Sequence, residues 1–541
     1  MAGLLALAAG PVLVLGVLFV LPVTGMVAEG FWAGGRFDPG GVLDVLARPR
    51  VRRVAWFTLW SSSLATAVAL LLGLPAAYAL HRLALPGRRA IRAALLVPFV
   101  LPTVVVGVAF RQLLGAGGPL GALQLDGTPI AIVLGLVFFN VAVVVRAVGV
   151  AWESLDPRPG EAAAALGASP AQVLWTVTLP ALWPAMVGAA SVVFLFCATA
   201  FGIVLTLGGV RHATVETEIY LLTTTIYDLR AAAALSVLQI VVVVALLALA
   251  ARLRSRPDPT AAQVVAAPRR ATRSDWPAVA LTMLLLAALA VPVLTLVVGS
   301  FQVDGAWSIS NYRALGGTGD NGALLVPVTT ALATSLRTAV DATWMALLMG
   351  LAVAGIVTRR SHTPAERRVR SGLDGFFMLP LGVSAVTLGF GFLITLDRPP
   401  VDLRDSALLV PMAQALVALP LVVRTIAPVL AAIDDRQHQA AASLGAPPWR
   451  ALLTIDLPVV WKPALAASGF AFAVSLGEFG ATSFLARDDN PTVPVVIFRL
   501  IGHPGEMNYG MALAASVVLA ATTAAVVLVV ERLRVPSVGA F

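Results

Sequence analysis

Few side chains in this sequence can do chemistry, and their spacing narrows what that chemistry is. There is one lysine, Lys462, one cysteine, Cys197, and five histidines, His81, His212, His362, His438 and His503. A nucleotide-binding loop of the G-x-x-x-x-G-K-[ST] kind needs glycine before its lysine, and Lys462 follows Trp461. One thiol supports neither an internal disulfide nor a thiolate metal cluster. No two histidines stand three or four residues apart, so no helix face gathers a pair of metal ligands. No catalytic constellation, metal site or bound cofactor is expected. What remains is a set of ionisable groups inside apolar runs: Arg146, Arg424, Asp341 and Glu478. Charge at membrane depth is costly and is commonly functional, although a long arginine also snorkels to the interface. Arg146 and Arg424 therefore read as gate or anchor contacts, or as interfacial snorkels. Glu478, in SLGEFGATSF, reads as a path-lining group that attracts a cation, or as a hydrogen-bond partner for a neighbouring helix.

A second constellation is duplicated. Glu161 to Pro180 reads EAAAALGASPAQVLWTVTLP, and Gln439 to Pro458 reads QAAASLGAPPWRALLTIDLP. The offset, 439 minus 161, is 278, and it also pairs Arg146 with Arg424, Asp156 with Asp434, Gly167 with Gly445 and Pro102 with Pro380. The alanines favour a helix of little bulk. Gly167 and Gly445 suit its left-handed end. Ser169 can cap a second helix with Pro170 at its first position, and Pro448 opens the matching helix. That second helix is expected to stop before Pro180. Each copy is thus a helix–turn–helix elbow with a small, apolar, lightly charged face, suited to a partner's groove rather than to catalysis.

The elements that position these residues are membrane spans. The 541 residues are 59% hydrophobic and 12% charged, against about 25% charged in soluble domains, and the mean hydropathy is +0.91. Apolar runs of about 20 residues recur along the chain, as membrane-spanning helices require. An all-α polytopic membrane protein is expected, with about twelve transmembrane helices. They fall at 4–26, 55–80, 93–115, 129–151, 183–208 and 232–252, then 277–300, 328–357, 374–396, 406–430, 461–486 and 508–531. The N-terminal run lacks a basic leader and reads as a retained first span. Residues 253–275, rich in Arg, Pro and Ala, read as a linker between a first repeat (1–252) and a second (276–541).

The net charge of +9 sits in short loops beside the spans, where arginine sets orientation, so nucleic acid is not an expected partner. Arg82, Arg88, Arg89 and Arg92, the linker, Arg359, Arg360, Arg367, Arg368 and Arg370, and the tail's Arg532 and Arg534 mark one face as cytoplasmic. The opposite set is more acidic, with Glu216 and Glu218 among it. One loop, 36–53, dissents with five arginines. Both termini then lie in the cytoplasm. Six spans per half make the repeats parallel, and both elbows, about 152–182 and 431–460, face the cytoplasm.

The duplicated segment resembles the EAA loop of binding-protein-dependent ABC importer permeases, type I, in the fused two-repeat form of the iron(III)/thiamine branch. Glu161, Ala162, Ala163, Gly167, Leu179 and Pro180 match that motif in full. Gln439, Ala440, Ala441, Gly445, Leu457 and Pro458 match it except at the acid. The resemblance implies a transport subunit of the bacterial cytoplasmic membrane, in contact with membrane lipids, whose elbows dock a separate ATP-binding subunit, most simply a homodimer. ATP and magnesium belong to that partner. An extracytoplasmic binding protein supplies the substrate. The stretches FGIVLTLGGVRHATVETEIY and SLGEFGATSFLARDDNPTVPVVIF look closest to thiamine permeases, with ferric iron permeases next. The resemblance therefore implies thiamine or its phosphate esters first and ferric iron second. An ion-coupled secondary transporter is a different class. It would carry coupling carboxylates in several spans and would need no duplicated elbows.

Overall fold

The computed structural model describes residues 2–33, 35–209, 211–253, 268–359, 363–398 and 401–533. Of the linker, 254–267 lie outside the described residues, as do Arg360, His362 and Arg534. Among the described residues, ten helices are long and apolar enough to cross a bilayer, or eleven counting one bent pair.

The shortfall against twelve lies in the third span of each half. In the first, Ala90–Val100 and Thr103–Leu114 meet at 97°. Leu101, driven by Pro102 out of the helical region, has ψ 138°, as the residue before a proline must. In the second, Pro364–Phe377 gives way to a 3-10 turn, Leu379–Gly382, and then to Ala385–Thr395. A twelve-residue helix reaches only about 18 Å, against an apolar core of about 30 Å. The expected spans 93–115 and 374–396 are therefore each an arginine-bearing helix followed by a short buried one. Glycines make the buried pieces fit. A Cβ on Gly202 would stand 2.4 Å from Thr103 Oγ1, and one on Gly480, its equivalent, 2.9 Å from the Ala385 Cβ. Such close approach is what small residues provide between membrane helices.

The chain forms two compact units that cut across its halves. One holds Met1–Ala47, Ile219–Ile240 and Ser300–Gly539. Its first span, Leu7–Phe31, packs Leu15, Leu18 and Phe19 against Phe377, Leu388, Phe392 and Leu416 of the second half. The approach is tight: a Cβ on Gly25 would fall 2.0 Å from Thr395 Cγ2. Beside it, Val328–Thr358 and Leu409–Ala431 pair through Ala342, Ala346, Ala415 and Ala418, and Gly350 faces Val422.

The other unit holds Arg48–Glu218 and Val241–Gly299. Here Pro49–Arg82 pairs with Pro129–Glu153, and Gly73 faces Val144, the residue 278 before Val422. The C-terminal end of the expected linker is ordered. Arg269 bridges the backbone at Arg82 and Ala84, and its guanidinium meets the buried Asp275 at 2.7 Å and the Tyr78 hydroxyl at 2.6 Å. Glu216 and Glu218 are buried in Val215–Leu221 rather than loop-exposed. Glu218 takes the Arg50 guanidinium in a two-point contact, with Nη2 to Oε2 at 2.8 Å. One arginine of the dissenting loop is thereby consumed by a buried carboxylate, since such a charge needs a partner.

Candidate functional site

The two elbows repeat in three dimensions as they do in sequence. The first begins with the helix Arg158–Ala165, whose opening Arg158 N–H donates to Asp156 at 3.0 Å. The second begins with Asp435–Ser443, where the Arg436 N–H donates to Asp434, also at 3.0 Å. Each helix ends on a pair of turn hydrogen bonds. Ala168 N–H donates to the Ala163 carbonyl and Gly167 N–H to that of Ala164, at 3.1 and 3.0 Å. Ala446 to Ala441 and Gly445 to Ala442 are the same bonds, at 2.9 and 3.0 Å. This is the Schellman arrangement, which needs a left-handed residue. Gly167 has φ +90° and Gly445 φ +74°. A Cβ would meet nothing within 4 Å at either, so backbone conformation alone asks for glycine there.

The second arms start alike and differ in capping. Ser169 accepts from the Gln172 N–H at 3.3 Å, and Gln172 Oε1 accepts from the Ser169 N–H at 2.7 Å. This reciprocal capping box has no counterpart in the second copy, where Pro447 and Arg450 take those places. The expected stop before Pro180 does not occur. Pro170–Ala198 is one continuous helix, as is Trp449–Leu476. A π-turn at Leu174–Thr178 precedes Pro180, and one at Leu452–Asp456, 278 residues on, precedes Pro458. The wide turn shifts the hydrogen-bond register. Each proline then opens a new α-helical segment, where an N–H is not required. The elbow thus runs straight into the fifth span, which begins and ends earlier than the expected 183–208 and 461–486.

What the elbows present is also in register. Glu161, Ala162, Gly167 and Pro180 are exposed, as are Gln439, Ala440, Gly445, Leu457 and Pro458; Ala163, Ala441 and Leu179 are half-buried. At the apex stand two leucines that sequence reasoning missed. Leu166 is 90% exposed and Leu444, 278 residues later, 88%. The identical Leu-Gly pair in both copies is the signal that would have found them.

Charge is distributed differently around the two copies. At the first, Glu153 accepts from the Arg92 guanidinium at 2.7 Å and lies 3.0 Å from His81 Nδ1, all of them outside the elbow's own arms. At the second, Asp456, at the end of the π-turn, meets His438 at 2.8 Å and Arg359 at 3.9 Å. Arg92 and Arg370, 278 apart, both donate to last-turn carbonyls of the second spans, Leu80 at 3.0 Å and Ile356 at 2.7 Å.

The remaining ionisable candidates are not gathered into one constellation. Glu478 is buried, and its carboxylate accepts from the Ala481 and Thr482 N–H groups at 2.7 and 3.0 Å, so it caps the short helix Thr482–Leu485. Arg146 is half-buried in Pro129–Glu153 and Arg424 exposed on Leu409–Ala431. Neither is without a partner. Among the described residues no three His, Cys, Asp or Glu side chains group as metal ligands. The elbows thus present exposed small and apolar residues, with Leu166 and Leu444 at their apices.

Known proteins are similar to this chain in sequence. The family described as the binding-protein-dependent transport system inner membrane component matches twice, over residues 69–256 and 346–535, once around each elbow. The thiamine transport system permease protein ThiP of Brucella abortus (strain 2308) is 28% identical over 484 residues, 87% of this chain and 85% of the relative. ThiP of Escherichia coli (strain K12) is 28% identical over 465 residues, 83% of each chain. The molybdenum transport system permease protein ModB of Haemophilus influenzae is 32% identical over 189 residues, 80% of its own length but 32% of this chain, the size of a single repeat. This chain belongs to the binding-protein-dependent transport system inner membrane component family, as a fused two-repeat ABC importer permease and not an enzyme.

Proposed function

We propose that this permease imports thiamine or its phosphate esters, with both elbows seated in clefts of a paired cytoplasmic ATPase. One observation carries the docking half of this reading. Two surface elbows share the same Schellman turn, π-turn and apical leucine at one fixed offset. A repeat that kept only packing would have no use for two bare leucines at identical places. The substrate half rests on the thiamine permeases to which most of the chain is similar. The family brings with it an ATPase subunit and a substrate-binding protein, and the latter does most of the selecting. Both termini and both elbows are cytoplasmic in this reading, as the arginine distribution argues.

The test is uptake of labelled thiamine by proteoliposomes holding the chain, its ATPase and its binding protein. Uptake that needs ATP and is not displaced by ferric iron supports the reading. Uptake driven by an ion gradient without the ATPase overturns it.

A further inference from the structure

The two elbows are built to the same backbone plan but are held in shape differently. In the second, His438 lies on the first arm and Asp456 closes the π-turn of the second arm. Their 2.8 Å contact ties the two arms together across the bend. Arg359, just past the end of Val328–Thr358, reaches Asp456 at 3.9 Å, so the tie is also anchored to the second span. Subtracting 278 gives the first-elbow equivalents: Gly160, Thr178 and His81. Gly160 has no side chain to donate, and a Cβ there would only touch Val173, at 3.4 Å. His81 turns instead to Glu153, at 3.0 Å. Among the described residues, the first elbow therefore has no cross-arm side-chain contact equivalent to His438–Asp456.

This difference sits opposite another. Glu161 carries a charge that its equivalent Gln439 lacks, and a charge-assisted hydrogen bond is roughly twice as strong as a neutral one. A surface without that charge holds a partner better when it is already rigid, because less conformational freedom is lost on docking. We propose that His438, Asp456 and Arg359 form a brace that pre-shapes the second elbow, so that the permease grips its ATPase pair by unlike means: charge at the first elbow, rigidity at the second. His438 and Asp456 are positioning residues in this scheme; neither need touch the ATPase. The proposal rests on the docking reading above.

The test separates the brace from the docking. Hydrogen exchange is measured on the full chain in nanodiscs, without ATPase, for Asp456→Asn, His438→Ala and the pair. The amides of 436–446 should exchange about tenfold faster in each single variant. The double variant should be no worse than either single one, as expected for partners in one contact. The amides of 158–168 should not change. His438→Gln, which keeps an N–H donor, should restore part of the protection. His438→Ala removes the ring without the helix cost of glycine, so it keeps the test alive if Asp456→Asn fails to fold. Unchanged exchange at 436–446 overturns the brace. ATPase affinity is then measured in the same nanodiscs. Brace variants should weaken it about threefold alone and more steeply with Glu161→Ala. Faster exchange with undiminished affinity overturns the brace's role in docking. If Leu166→Ala and Leu444→Ala also leave affinity untouched, it is the docking reading that has failed.

Discussion

At the scale of the residue, the informative side chains are those that the two repeats do not share. Glu161 and Gln439 occupy the same exposed place on the same backbone, so comparing them isolates one charge. Glu161→Ala is expected to lower ATPase stimulation about tenfold, and Gln439→Ala by threefold or less. Stimulated ATP hydrolysis in the reconstituted complex reads this directly, and equal losses would contradict it. Much of this was legible beforehand, because the offset aligns the elbows residue by residue. Leu166 and Leu444 were hidden by their type: a leucine among alanines reads as packing, and only its exposure shows otherwise. The setting of Glu478 admits a path-lining role or a hydrogen-bonding one, and its carboxylate accepts from two amides of the short helix that it caps.

Local rules account for the start of each element and fail where a longer pattern takes over. Asp156, Asp434, Gly167, Gly445 and Ser169 all behave as cap and turn chemistry requires, because those preferences involve only a few neighbouring residues. Pro180 and Pro458 do not stop their helices, because a π-turn just upstream absorbs the missing hydrogen bond, and nothing in residue preference announces a π-turn. Pro102 breaks the third span of the first half for the reason prolines usually do, whereas that of the second half turns extended at Val383 and Ser384, past the 3-10 turn that holds Pro380. The apolar runs around them read as continuous only because hydropathy ignores direction. The His438–Asp456 contact joins residues 18 apart, beyond any local pattern. At this scale Gly167→Ala and Gly445→Ala are each expected to cost about 1 kcal/mol through the left-handed backbone alone. Faster exchange confined to the turn, with no drop in global melting temperature beyond a few degrees, would bear this out. A large drop would mean that the elbow is wired into the core.

For the whole molecule, the sequence suggests two consecutive halves, but the first span does not stay with its own. Leu7–Phe31 packs on second-half helices, and Trp276–Ser300, all but its last residue, belongs to the unit built around the first half. Repeat alignment cannot reveal this, since both spans are merely apolar and their partners are chosen by surface fit. Gly25→Leu, placed against Thr395, is expected to destabilise that packing by about 1–3 kcal/mol. The loss is measurable as a lower melting temperature in detergent, and an unaffected melt would count against the assignment. The central claim is that both elbows meet one kind of partner. It is tested most directly by replacing Leu166 or Leu444 with cysteine. Cys197, the native thiol, is buried and leaves a clean background. Chemical cross-linking in membranes should join each new thiol to the ATPase subunit, and ATP should alter the yield. Labelling of either thiol by an impermeant reagent from outside the cell, or no cross-link to the ATPase at either site, would contradict the account.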